Sequence, residues 1–105
     1  VLPPLRSTLE ADSEVRDLLD GFVKNLAGSA RVMEEALARG DLPTIASHAH
    51  QLRGAGGIYG FPAITEAAAV LERAIRSGQD PEAMARLVAD LTGLCRRVEV
   101  AQATS

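Results

Sequence analysis

An all-α fold is what this sequence predicts: an up-down antiparallel four-helix bundle with a short N-terminal arm. Three observations predict it. Four segments carry apolar residues at the three- and four-residue spacing of one helix face. The apolar residues are mostly Ala, Leu and Val, and the only aromatics are Phe22, Tyr59 and Phe61, a mix that favours helices over a sheet. The links between the segments are only a few residues long, which makes sequential helices antiparallel neighbours.

Each element follows from its local residues. Residues 1–11 hold Pro3 and Pro4 among Leu2, Leu5 and Leu9; they read as an extended arm whose leucines pack on the domain. The bundle is expected over residues 12–101, with 102–105 as a tail. The first helix covers about residues 12–39, on the stripe Val15, Leu18, Leu19, Phe22, Leu26, Met33 and Leu37. Asp12 or Ser13 caps its start, Gly40 ends it, and Gly21 and Gly28 mark the place for a bend. The second follows Asp41, a good N-cap, with Pro43 in its first turn, and runs to about Tyr59 before stopping at Gly60. The third begins at Pro62, carries Ile64, Ala67, Ala68, Leu71 and Ile75, and ends near Ser77 and Gly78. The fourth opens with Asp80-Pro81-Glu82, a cap, a first-turn proline and a first-turn acid. Its stripe is Met84, Leu87, Val88, Leu91, Leu94, Cys95 and Val98.

Composition bounds the function. A chain of 105 residues suits one small domain. Its net charge is −3 and it has no basic cluster, so nucleic acid is not an expected partner. The apolar stretches are far too short to span a bilayer, so no membrane contact is expected. Val1 begins a Pro-containing segment without a basic n-region, which is not a signal peptide. The missing initiator Met points to a processed form or a fragment. Cys95 is the single cysteine; it reads as a small core residue, and a cytoplasmic setting fits.

The informative stretch is His48-Ala49-His50-Gln51-Leu52-Arg53-Gly54-Ala55-Gly56-Gly57-Ile58-Tyr59-Gly60. Each glycine costs a helix about 0.8–1 kcal/mol relative to alanine, so three inside one helix need a cause. Successive residues turn by about 100°. With Ile45 at the centre of the buried face, Ala49, Leu52, Gly56 and Tyr59 fall within about 40° of it. His48 lies about 60° to one side and reads as a boundary residue that hydrogen-bonds locally. His50 lies about 140° away, towards solvent, with Gly54 and Gly57 on the same outer face and Ala46 and Arg53 on its flank. The glycines therefore clear space around His50. No metal site is expected, because residues at i and i+2 do not share a helix face and no cluster completes a coordination shell.

The run from His50 to Phe61 resembles the active helix of histidine-containing phosphotransfer (Hpt) domains. Their pattern is His-x-x-(Lys/Arg)-Gly, then small residues, then a helix-ending Gly and a hydrophobic residue. Leu71-Glu72 within an Ala-rich helix is similar to the family's next helix. The resemblance covers about residues 12–101. Arg53 stands where Lys is more usual and keeps the positive charge.

The resemblance implies a phosphocarrier in a two-component phosphorelay, not an enzyme. His50 would accept a phosphoryl group from the aspartyl phosphate of a response-regulator receiver domain and pass it to another. No ATP is bound, which agrees with the absence of a P-loop. The domain itself needs no cofactor; Mg²⁺ would sit on the partner receiver. The chain stands alone or belongs to a hybrid sensor histidine kinase, and a monomer is expected. The alternative is an interaction-only bundle that keeps the fold without phosphotransfer.

The expected roles are specific. A neutral imidazole is a good nucleophile near pH 7, and phosphoryl transfer needs in-line positioning and charge neutralisation above all. Arg53 would neutralise phosphate oxygens. Glu72 sits about 80° from the buried centre of the third helix. In the family a Gln or Glu at the matching position hydrogen-bonds the second ring nitrogen, so Glu72 would orient the imidazole. Ala46, Gly54, Gly57 and Ile58 would form a small docking surface. Arg73 and Arg76 read as solvated residues, and Phe61 and Pro62 as the anchor of the corner.

Overall fold

The computed structural model describes the backbone of residues 13–104 and the side chains of residues 21–98. The expected arm, and the side chains of Val15, Leu18 and Leu19, lie outside the described residues. Four helices follow in order: α1 Ser13–Arg39, α2 Leu42–Ile58, α3 Pro62–Ser77 and α4 Pro81–Thr104. α1 continues as one helix through Gly21 and Gly28, and α4 runs on through residues 102–104. Each helix packs on two neighbours, α1 on α2 and α4, α3 on α2 and α4. That closed ring is a four-helix bundle in up-down order.

Local chemistry places the helix ends. Asp41 accepts from the Thr44 backbone N–H at 3.3 Å and from the Thr44 hydroxyl at 2.7 Å, which satisfies an orphan donor at the start of α2. These bonds, with Arg39 at 3.3 Å, hold the Asp41 carboxyl below its usual pKa. Asp80 does the same for α4, accepting from the Ala83 N–H at 2.8 Å. Gly78 ends α3 in the left-handed region at φ 72°, and its N–H reaches the carbonyls of Ala74 and Ile75; glycine adopts this conformation without a Cβ clash.

The α2–α3 corner is set differently. Gly60 turns the chain at φ 79°. Phe61 then starts α3 with no side-chain cap. It is buried and lies with its ring centroid 5.8 Å from Phe22, which itself stacks on Tyr59 at 4.8 Å. All three aromatics of the chain thus pin this corner to α1, as expected for Phe61.

The core runs between the four helices: Leu26, Ala30, Met33, Ile45, Ala49, Leu52, Ile64, Ala68, Leu71, Met84, Val88, Leu91, Cys95 and Val98 are all buried. Burying each larger aliphatic side chain stabilises the fold by about 1.5–3 kcal/mol, most of it offset by chain ordering. The stripes shift slightly from the sequence reading. Ala74 is buried, whereas Ala67, Ile75, Leu87 and Leu94 are only partly covered. α3 packs on two helices at once, so its covered face spreads towards α4.

Candidate functional site

The site begins with how α2 sits. Ile45, Ala49, Leu52 and Gly56 are its buried residues, spaced four, three and four apart, so one stripe faces inward and His50 is turned outward. The His50 side chain is 68% exposed. Gly54 and Gly57 are exposed on the same side, Ala46 is half-buried, and Ile58 is 69% exposed. His48 is half-buried at the boundary. Its Nδ1 is buried without a hydrogen-bond partner, so the local hydrogen bond expected for it does not form at that nitrogen.

The three glycines divide into two kinds. A Cβ on Gly56 would come within 2.6 Å of Thr65 Oγ1, 3.0 Å of Thr65 N and 3.2 Å of Phe61 O. Gly56 is therefore where α3 closes against α2. A Cβ on Gly54 would meet nothing within 4 Å, and one on Gly57 only Thr65 Oγ1 at 3.7 Å. Those two leave the surface beside His50 bare.

The close seam has two results. Thr65 Oγ1 donates to the Arg53 carbonyl at 3.0 Å, and the Phe61 N–H donates to the Gly56 carbonyl at 2.7 Å. Antiparallel helices leaving one corner also bring positions equally far from it level with each other. His50 and Glu72 are equally far from Phe61 along the chain, and they meet. Glu72 Oε2 lies 3.4 Å from His50 Nδ1. Glu72 Oε1 lies 3.3 Å from Arg53 Nε, and an Arg53 terminal nitrogen is 3.4 Å from His50 Nδ1. Sequence reasoning gave Gly56 no role of its own and missed Thr65. A lone hydroxyl in the first turns of an alanine-rich helix was the signal available.

Protonation follows from donor and acceptor chemistry. A guanidinium only donates and a carboxylate only accepts, so one ring nitrogen cannot satisfy both neighbours. Glu72 is nearly covered, at 13% exposure against 41% for Arg53. A charged acceptor makes the stronger bond. The consistent tautomer has Nδ1–H facing Glu72 and the lone pair on Nε2. Arg53 is thereby held against Glu72 instead of standing alone beside the imidazole.

Among the described residues no group of three or more His, Cys, Asp and Glu side chains gathers as metal ligands would. No helix among them is long and apolar enough to cross a membrane.

The Hpt domain family model matches residues 17–101 of this chain. No curated protein and no solved structure matches it.

Proposed function

Because the chain belongs to the Hpt domain family, we propose that His50 is its phospho-acceptor, with Glu72 as the positioning residue and Arg53 as the phosphate-side cation. Membership implies histidine phosphotransfer in a phosphorelay, and Hpt domains generally engage receiver domains. The observation that carries the residue-level reading is an imidazole 68% exposed whose Nδ1 rests on a carboxylate only 13% exposed.

The step runs as follows. The Nε2 lone pair attacks the phosphorus of a receiver's aspartyl phosphate in line. The N–P bond forms, the P–O bond to the aspartyl carboxyl breaks, and the carboxylate leaves with the electron pair. The imidazole, now bearing phosphorus on Nε2 and a proton on Nδ1, is cationic. Glu72 stabilises that charge. The resting contact of 3.4 Å is longer than an ordinary N–H···O bond of about 2.7–3.2 Å, and it tightens as the ring becomes positive. Transfer to a second receiver reverses the step.

Arg53 can swing from Glu72 to the phosphoryl oxygens, since both are anionic and its side chain is partly exposed. Gly54 and Gly57 admit the partner's loops, and Ala46 and Ile58 supply apolar contact at the rim. Mg²⁺ belongs to the receiver, where it neutralises the acyl phosphate. The partners are response-regulator receivers, free or within a hybrid sensor histidine kinase, in the cytoplasm.

Incubation with a phosphorylated receiver tests this reading. Wild-type chain acquires acid-labile label and His50→Gln does not; equal label on His50→Gln refutes it.

A further inference from the structure

A groove on the α3–α4 side of the bundle has no part in the phosphotransfer chemistry. Its volume is about 460 Å³, and its lining includes Val70, Ala74, Ala83 and Leu87 together with Arg73 and Arg86. That is within the size range of ligand sites, about 300–1,000 Å³. Val70, Ala83 and Leu87 are only half-buried, so apolar surface remains uncovered after the helices have packed.

The groove is locally positive on an acidic chain. Net charge is −3, and Arg39, Arg53 and Arg96 each pair with an acid. Among the described residues Arg73 and Arg86 pair with none, and no acid among them lines the groove. The two arginines are also level. Arg73 precedes the Gly78 turn by about as many residues as Arg86 follows Asp80, so the two residues stand at about the same level on the two helices that line the groove.

The groove is separate from His50. Val70 and Ala74 are each two residues from Glu72, hence about 160° around α3 from it. Its α3 wall, from Val70 to Ser77, is about 10 Å long, close to two helical turns.

We propose that this groove docks an acidic amphipathic helix of a partner protein. Leu-like side chains would enter the groove, and carboxylates would pair with Arg73 and Arg86. The apolar walls argue against a small hydrated anion, and the paired guanidiniums argue against a purely apolar segment. Helix-in-groove recognition uses such i, i+3, i+4 anchors. A partner held there leaves His50 open, so tethering and phosphoryl exchange proceed together.

The test titrates the 105-residue chain with a fluorescent amphipathic peptide, Leu on one face and Glu on the other. The control peptide carries Gln for every Glu. The proposal expects saturable binding of the Glu peptide, with amide shifts confined to the α3–α4 wall. Binding falls at least tenfold for the Gln peptide and for the Arg73→Glu, Arg86→Glu double variant. That variant keeps wild-type circular dichroism and binds a Lys-and-Leu peptide instead. The proposal is overturned by no saturable binding, by equal binding of the Gln peptide, or by shifts centred on α2. It is equally overturned if the chain dimerises through this face, or if phosphate alone reproduces the shifts.

Discussion

A neutral imidazole attacks through the ring nitrogen that carries the lone pair, so its use as a nucleophile depends on which nitrogen holds the proton. On the proposed reading Glu72 sets that for His50 through the 3.4 Å contact to Nδ1. Glu72→Ala removes the acceptor and the countercharge. Transfer should slow by roughly tenfold or more, on the scale of about 1.5–3 kcal/mol for a hydrogen bond to a charged group. The fraction of Nδ1–H tautomer, read by ¹⁵N NMR, should fall with it, while the fold survives. Glu72→Gln, which still accepts from Nδ1–H, should recover part of both. Unchanged rate and tautomer would reduce Glu72 to a surface acid. The outward turn of His50 was legible in the sequence because α2 buries a periodic stripe. The pairing of Arg53 with Glu72 was not, since it depends on the register between two helices. Cys95 belongs to this scale too: burial pushes its thiol up from 9.0 to about 11. A raised acid pKa favours the neutral thiol in the fold, so this contribution is intact below about pH 9 and lost as pH rises towards 11. Its size is about 2–3 kcal/mol. Urea melts should show that alkaline slope in wild type and lack it in Cys95→Ala.

The α2 helix carries three interior glycines, a penalty of about 2–3 kcal/mol against alanine, large beside a typical stability of about 5–15 kcal/mol. The structure assigns separate causes, and substitutions should therefore differ in sign. Gly54→Ala enters open space and should raise stability by up to about 1 kcal/mol. Gly56→Ala presses a methyl into Thr65 and the Phe61 carbonyl. Overpacking of that kind costs about 1–3 kcal/mol, which exceeds the propensity gain. Thermal melts should move in opposite directions, by about 4–8 °C per kcal/mol for a domain near this size. Gly57→Gln, whose Cβ would make only an ordinary contact with Thr65, should melt at or slightly above wild type yet slow transfer, because on the proposed reading its side chain stands in the receiver's path. Identical melts for Gly54→Ala and Gly56→Ala would contradict the division. Local residues located the helix ends well: Asp41, Gly60, Gly78 and Asp80 act through their own backbone neighbours. The Gly56–Thr65 seam eluded the sequence, because a small residue shows that something comes close but not what.

At the scale of the whole molecule, the bundle is a rigid mount with one chemically special edge. Four helices bury a shared core, and α1 and α4 are tied further by the bidentate Arg96–Glu34 pair, one of whose bonds is 2.9 Å. That pair holds the Glu34 carboxyl below its usual pKa, but both side chains are about half exposed, so its stabilisation is small. Rigidity matters more: the α2–α3 corner fixes the register that sets Glu72 under His50. The four-helix architecture was legible from periodicity and short links; the groove between α3 and α4 was not, because Arg73 and Arg86 are far apart in sequence and each alone reads as a solvated residue. The scaffold is proposed to present Nε2 of His50 to a receiver's phosphoaspartate. The most direct measurement is ³¹P–¹⁵N correlation NMR on labelled chain phosphorylated by a receiver. One phosphorus coupled to His50 Nε2, with Nδ1 protonated, is the expected result. Phosphorus on His48, or on Nδ1 of His50, would contradict it.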